Sequence, residues 1–125
     1  MGQALAVAVG AALGGLCRWG LAHLLGPISS GFPWGILLVN LAGSFCIGLC
    51  FGFFRGTRPD DAWALFWMVG VLGGFTTFSA FSLDLLKMTA GGRWGMALGY
   101  ACLSCIGGLV MAGLGGWLSG GFKQI

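Results

Sequence analysis

The amino-acid sequence predicts an all-helical integral membrane protein with four transmembrane helices. Of its 125 residues, 58% are hydrophobic and 7% are charged, whereas a soluble domain carries roughly 25% charged residues. A helix needs about 20 apolar residues to cross a bilayer, and such stretches recur along the whole chain instead of only at its start. We therefore expect a membrane-inserted chain without a cleaved signal peptide.

Four apolar stretches have the length of a membrane span, and short segments with turn residues separate them. The first separator, residues 26–31, contains Gly and Pro, which favour turns. Tryptophans occur near the predicted span ends, where an indole ring favours the headgroup region. Residues 1–125 are therefore predicted to form a single four-helix transmembrane domain. Its spans are residues 4–25, 34–54, 62–86 and 94–118.

The positive charges of the loops are balanced between the two ends of the predicted bundle. Lys and Arg in short loops set the orientation of a membrane protein. We count Arg18 with one end because we expect its side chain to snorkel toward the interface. Equal counts favour insertion in both orientations and hence an antiparallel dual-topology homodimer, unless a terminal charge or depth effects select one orientation. The residues counted are Arg55, Arg58 and Lys123 at one end, and Arg18, Lys87 and Arg93 at the other.

Glycine accounts for 26 of the 125 residues, and several glycines are spaced four apart. Small residues at this spacing let membrane helices approach closely. Both oligomerisation and packing within one subunit explain such pairs. The pairs are Gly10/Gly14, Gly48/Gly52, Gly70/Gly74, Gly91/Gly95 and Gly95/Gly99.

The third span contains an unfavourable helix sequence near its middle. Gly73 and Gly74 are followed closely by Thr76 and Thr77; Gly costs about 1 kcal/mol relative to Ala in a helix, and Thr competes for backbone partners. We therefore predict that the third helix is broken near residues 73–77. Non-helical backbone at membrane depth lies buried in protein or lines a cavity, and its carbonyl groups can coordinate a cation.

Aromatic and hydroxyl side chains follow the predicted break. Phe75, Phe78 and Phe81 recur every three residues, with Ser79 beside them. A phenylalanine stripe of this kind is common in helix packing. A ring edge also carries a partial positive charge that can face an anion.

Polar residues in the other spans complete the candidate site. Asn40 either forms an interhelical hydrogen bond or donates its amide to an anion in a pore. Tyr100 and Ser104, four apart in the fourth span, add hydroxyl donors, and Arg18 near a mouth would raise the local anion concentration. Because no buried acid accompanies this set, it suits a small anion better than a cation.

Three motifs resemble the Fluc/CrcB family of fluoride channels: GGFTTFSAFS at residues 73–82, FPWGILLVNLAGSF at 32–45 and GGLCRW at 14–19. The first is similar to the family's GGxTTFSTF segment. The resemblance implies an antiparallel dual-topology homodimer in the inner (plasma) membrane that exports fluoride passively and so limits its cytoplasmic toxicity. The sequence departs from the family pattern at Ile36, Gly107 and Gly108.

The resemblance also implies roles for individual residues. Backbone carbonyls of Gly73 and Thr76 would hold a structural sodium ion on the dimer axis. Phe78 and Phe81 would be the rings of a fluoride pore, Asn40 its amide and Arg18 its arginine, with Tyr100 and Ser104 as polar positions of the fourth span. We add Thr77 and Ser79 to this predicted pore.

Other classes of protein fit the sequence less well. A small multidrug-resistance-like dual-topology transporter has a similar length, but it needs a membrane-embedded carboxylate, and Asp60, Asp61 and Asp84 lie in a loop or near a span end.

A single histidine, His23, does not supply paired haem ligands. The basic residues sit at segment ends, which argues against nucleic acid as a partner. We also expect no enzymatic activity.

Overall fold

The computed structural model describes residues 2–26 and 31–123. The predicted turn residues 27–30 lie outside the described residues. Four helical stretches are long and apolar enough to cross a membrane, which confirms the predicted all-helical class with four spans. They are Gly2–Leu25, Trp34–Phe53, Ala62–Ala90 and Trp94–Leu118.

The third stretch is divided into several helical elements. After α1 (Gly2–Leu25) and α2 (Trp34–Phe53), it comprises α3 (Ala62–Ala64), a π-helix (Leu65–Val71), α4 (Leu72–Phe75) and α5 (Phe78–Ala90), and it is followed by α6 (Trp94–Leu118). Asp61 begins it as an N-cap, because its carboxylate accepts hydrogen bonds from the amides of Trp63 and Ala64, both at 3.0 Å.

The π-helix packs closely on α1. A β-carbon placed on Gly10 would lie 2.5 Å from the carbonyl oxygen of Phe66 and 2.9 Å from the amide nitrogen of Val71. A β-carbon placed on Gly70 would likewise lie 2.9 Å from the carbonyl oxygen of Val7 on α1. This close approach explains why glycine is required on both helices.

Glycines also allow α2 and α6 to pack closely against each other. A β-carbon on Gly48 would collide with the backbone of Ala112 and Gly116, and one on Gly115 with the backbone of Phe45 and Leu49. Helix packing within one subunit therefore accounts for the pairs Gly10/Gly14, Gly48/Gly52 and Gly70/Gly74. Gly95 and Gly99 differ, since a β-carbon there would meet nothing within 4 Å.

A small core of aromatic and aliphatic side chains packs α2, α5 and α6 against one another. Tyr100 is fully buried and lies against Phe81, with ring centroids 5.1 Å apart. Leu37, Met88 and Ala97 complete this core. It connects α2, α5 and α6 and thereby fixes the position of α5 after the end of α4.

Candidate functional site

A cavity of about 380 Å³ lies between α2, the divided third span and α6. Among the described residues that line it, none is acidic or basic. It brings together seven of the residues singled out from the sequence. They are Asn40, Gly73, Thr76, Thr77, Phe78, Phe81 and Ser104.

The backbone beside this cavity is extended over two residues. Thr76 has φ −78° and ψ 155°, and Thr77 has φ −149° and ψ 120°. The two glycines on which the predicted break partly rested remain helical in α4. Gly74 instead provides close packing, since a β-carbon there would lie 2.5 Å from the carbonyl oxygen of Ala11. The change of conformation therefore falls on the threonines.

The side chains of both threonines stabilise the helix ends around them. Thr76 donates its amide and its hydroxyl to the carbonyl oxygen of Leu72, at 3.0 and 2.8 Å. Thr77 caps α5, because its hydroxyl oxygen accepts a hydrogen bond from the amide of Ala80 at 3.2 Å. The same hydroxyl lies 3.2 Å from the hydroxyl of Ser79. Ser79 thus joins the site through Thr77, although it does not line the cavity.

Asn40 on α2 contacts the extended backbone directly. Its Oδ1 accepts a hydrogen bond from the amide of Thr77 at 2.8 Å, and its Nδ2 donates to the carbonyl oxygen of Thr77 at 3.0 Å. This is the interhelical hydrogen bond that the sequence offered as one of two interpretations. The second hydrogen of Nδ2 remains for another acceptor, so donation to an anion stays a prediction.

Phe78 and Phe81 occupy different environments on the cavity wall. The side chain of Phe78 is 77% exposed, whereas Phe81 is 6% exposed and belongs to the core. Their ring centroids are 5.6 Å apart. One ring is thus held by packing, and the other borders the open side of the cavity.

Besides Ser79, two further residues predicted for the pore lie away from the cavity wall. Tyr100 is buried behind Phe81, and its hydroxyl donates to a carboxylate oxygen of Asp84 at 3.4 Å. The partly buried Arg18 donates from Nε to the carbonyl oxygen of Gly74 at 3.1 Å. This contact engages Nε, because the end of α4 leaves a carbonyl that needs a donor; snorkelling of the rest of the side chain toward the interface stays a prediction.

Two serines add hydroxyls to the cavity. The Oγ of Ser104 is buried and has no hydrogen-bond partner among the described residues. An unpaired buried hydroxyl is unusual and points to a partner such as water or a ligand. Ser44, which the sequence analysis missed, lines the same cavity. Its spacing of four residues from Asn40 on α2 is the signal that could have identified it.

Comparison with known proteins agrees with the motifs. The family model described as CrcB-like protein, Camphor Resistance (CrcB), matches residues 5–116. A protein of Thermus thermophilus named fluoride-specific ion channel FluC is 48% identical over 122 residues, which are 96% of this chain and 97% of that protein.

Two further relatives carry the same name. The protein from Bordetella petrii is 46% identical over 112 residues, covering 89% of this chain and 86% of the relative. The protein from Marinobacter nauticus is 40% identical over 112 residues, covering 89% of each. Both the family match and these identities extend over all four spans. The chain is a multi-pass membrane protein that belongs to the CrcB family.

Proposed function

We propose that this chain is a fluoride-selective ion channel that lets fluoride leave the cell passively across the inner (plasma) membrane. The observation that carries the proposal is the cavity between α2, the third span and α6. It presents an amide, hydroxyls and aromatic rings at membrane depth, without a charged side chain among its described lining residues. The names of the relatives, fluoride-specific ion channel FluC, support the same ion.

The chemistry of the cavity suits fluoride. This ion is small and strongly hydrated, so a pore must replace its water with hydrogen-bond donors that also release it. Ser104, with its unpaired hydroxyl, and the free hydrogen of Asn40 Nδ2 are such donors. The edges of Phe78 and Phe81 add a weaker attraction. A fixed cation on the wall would instead hold the anion tightly.

The channel is proposed to be an antiparallel dual-topology homodimer. Gly73 and Phe78 line the cavity yet are exposed, so one copy leaves its wall incomplete. An equal number of Lys and Arg at the two ends of the bundle supports insertion in both orientations. A second copy in the opposite orientation would cover the exposed residues and produce two equivalent pores.

Backbone oxygens at the divided third span fit a sodium ion. The amide of Thr77 donates to Asn40, so the carbonyl of Gly73 lacks the helical donor it would have in a continuous helix. Carbonyl oxygens suit hard cations. We propose that Gly73 and Thr76 of both copies hold one structural sodium ion on the dimer axis. The bound ion would supply positive charge that attracts an anion nearby.

The positions of the acidic residues argue against a multidrug-type transporter. Asp60 and Asp61 precede α3, and the half-buried Asp84 of α5 accepts a hydrogen bond from Tyr100. A cation exporter coupled to protons would need a carboxylate on the transport path. The cavity lining contains none in the part of the chain that the structure describes.

Growth in fluoride tests the proposed function in cells. Bacteria that lack their own fluoride export should grow in fluoride when they express this chain. Expression of Asn40→Asp, which places an acid beside the proposed anion path, should not restore growth. Equal growth of cells with the parent chain and with an empty vector would contradict the proposal.

A further inference from the structure

The amide group of Asn40 and the peptide of Thr77 form a reciprocal pair of hydrogen bonds. One bond uses the acceptor Oδ1 at 2.8 Å and the other uses the donor Nδ2 at 3.0 Å. Residues opposite each other in an antiparallel sheet exchange two bonds in a similar way. At membrane depth the peptide groups of an extended residue need partners from the protein or from a cavity, and for Thr77 the protein supplies both. The Asn40 side chain therefore substitutes for a neighbouring strand.

This pairing changes what happens at Gly73. In an uninterrupted helix the amide of Thr77 would donate to the carbonyl oxygen of Gly73. Here the Thr77 amide donates to Asn40 instead, so the Gly73 carbonyl loses its helical hydrogen bond. Gly73 lines the cavity, and a β-carbon on it would meet only the carbonyl oxygen of Met68, at 3.9 Å. The released carbonyl thus belongs to a residue with open space beside it.

We infer that Asn40 is a positioning residue, which keeps Thr77 extended and so keeps the carbonyl of Gly73 free to bind a cation. A group that served only as a donor to an anion would need its N–H alone. The acceptor Oδ1 would have no task in that role, yet it forms the shorter of the two bonds to Thr77. The inference rests on the proposed function for the identity of the cation, but its conformational part stands on the hydrogen bonds.

Substitutions at Asn40 test the roles of its acceptor and its donor separately. Asn40→Asp keeps an acceptor oxygen at the position of Oδ1 and a similar size. Asn40→Leu keeps the size and removes the acceptor. The Thr77 amide is then expected to donate to the carbonyl oxygen of Gly73. Asn40→Ala removes the acceptor without adding bulk and serves as a second variant if Leu impairs folding. All three are expected to lose fluoride flux, but only Leu and Ala should alter the backbone.

Threonine labelling can detect the backbone change directly. Threonine occurs only at positions 57, 76, 77 and 89, so carbon-13 and nitrogen-15 labelling of this amino acid gives a simple spectrum. We expect the Cα shift of Thr77 to be typical of extended backbone in the parent and in Asn40→Asp. In Asn40→Leu and Asn40→Ala it should move toward helical values, while Thr57 and Thr89 stay unchanged. An unchanged Thr77 signal in both Leu and Ala variants would overturn the inference.

The cation part is tested by thermal unfolding of the purified protein in sodium chloride and in N-methyl-D-glucamine chloride. A ligand that binds only the folded state raises the unfolding midpoint. The sodium concentration for half-maximal stabilisation should rise about tenfold or more in Asn40→Leu and Asn40→Ala, equivalent to about 1.4 kcal/mol or more. It should not rise in Asn40→Asp, because the acceptor is kept and an added carboxylate attracts a nearby cation, and it should be unchanged in the control Ser104→Ala.

The possible outcomes distinguish this inference from the proposed function. A sodium response that is equal in all variants, or absent in the parent, would overturn the assignment of the Gly73 carbonyl to a cation. A parent that conducts no fluoride but shows the expected threonine shifts and sodium responses would contradict the proposed function and leave the positioning role of Asn40 supported.

Discussion

The rings of Phe78 and Phe81 lie with their centroids 5.6 Å apart and their planes tilted by 48°, although one ring is exposed and the other is buried. Both border the same cavity. Phe81 packs against the buried Tyr100, whereas Phe78 contacts the core through the ring of Phe81. The pair therefore joins the packed interior of the subunit to the side where we propose a second copy.

Replacing either ring by isoleucine should reduce fluoride flux strongly. Isoleucine keeps an apolar side chain that suits the membrane, but it lacks the positive ring edge. We expect Phe78→Ile to fold like the parent, because this position is exposed in one copy, and to assemble like it, because isoleucine keeps an apolar side chain at the proposed dimer contact. Phe81→Ile should lose some stability as well, because Phe81 is buried. Fluoride efflux and the elution volume of the purified protein check both effects. Parental flux in both variants would make the rings packing residues only.

Arg18 should stabilise the end of α4 through its bond to Gly74. In Arg18→Lys the positive charge is retained, but the Nε donor at 3.1 Å from the carbonyl oxygen is lost. Leaving a partly buried acceptor unpaired costs on the order of 1 kcal/mol, so the thermal unfolding midpoint should fall. Arg58→Lys is the matched control, since Arg58 is 86% exposed and forms an ion pair with Asp60. Equal midpoints for the two variants would argue against the contact.

The close approach of α2 and α6 predicts different responses from two glycines of α6. Gly115→Ala would place a β-carbon against Phe45 and Leu49 and should destabilise the protein by about 1–3 kcal/mol through overpacking. Gly113→Ala meets nothing within 4 Å, so it should be neutral or slightly stabilising because Ala favours helix. Unfolding in detergent measures both variants, and the opposite order of stabilities would refute this packing.

The charge balance predicts that the carboxyl terminus reaches both faces of the membrane. Reporter tags at this terminus should give signals on each side. Insertion of two lysines into the loop at residues 55–61 should fix one orientation and lower fluoride flux by preventing antiparallel pairing. Flux should return when this variant is expressed together with one carrying two added lysines at residues 91–93. A single orientation of the parent would remove the basis for the antiparallel dimer.

The sequence predicted the membrane class and the four spans because apolar length is a local property. It also indicated Asn40 and the threonines as unusual, since polar residues at membrane depth are costly. It could not choose between the interpretations of Asn40, because its partner Thr77 lies 37 residues away in the chain. The contact between Arg18 and Gly74 spans 56 residues and was missed for the same reason. The π-helix at Leu65–Val71 left no recognised signal in the sequence, and the residues it packs against lie far away in the chain, on α1.

Fluoride efflux from proteoliposomes tests the central claim most directly. Purified protein is reconstituted into vesicles loaded with equal concentrations of potassium fluoride and potassium chloride. Valinomycin is added, and ion-selective electrodes record the release of each anion. We predict rapid release of fluoride with chloride retained, and no fluoride release from vesicles that contain Asn40→Asp. Equal release of the two anions, or release no faster than from protein-free vesicles, would contradict a fluoride-selective channel.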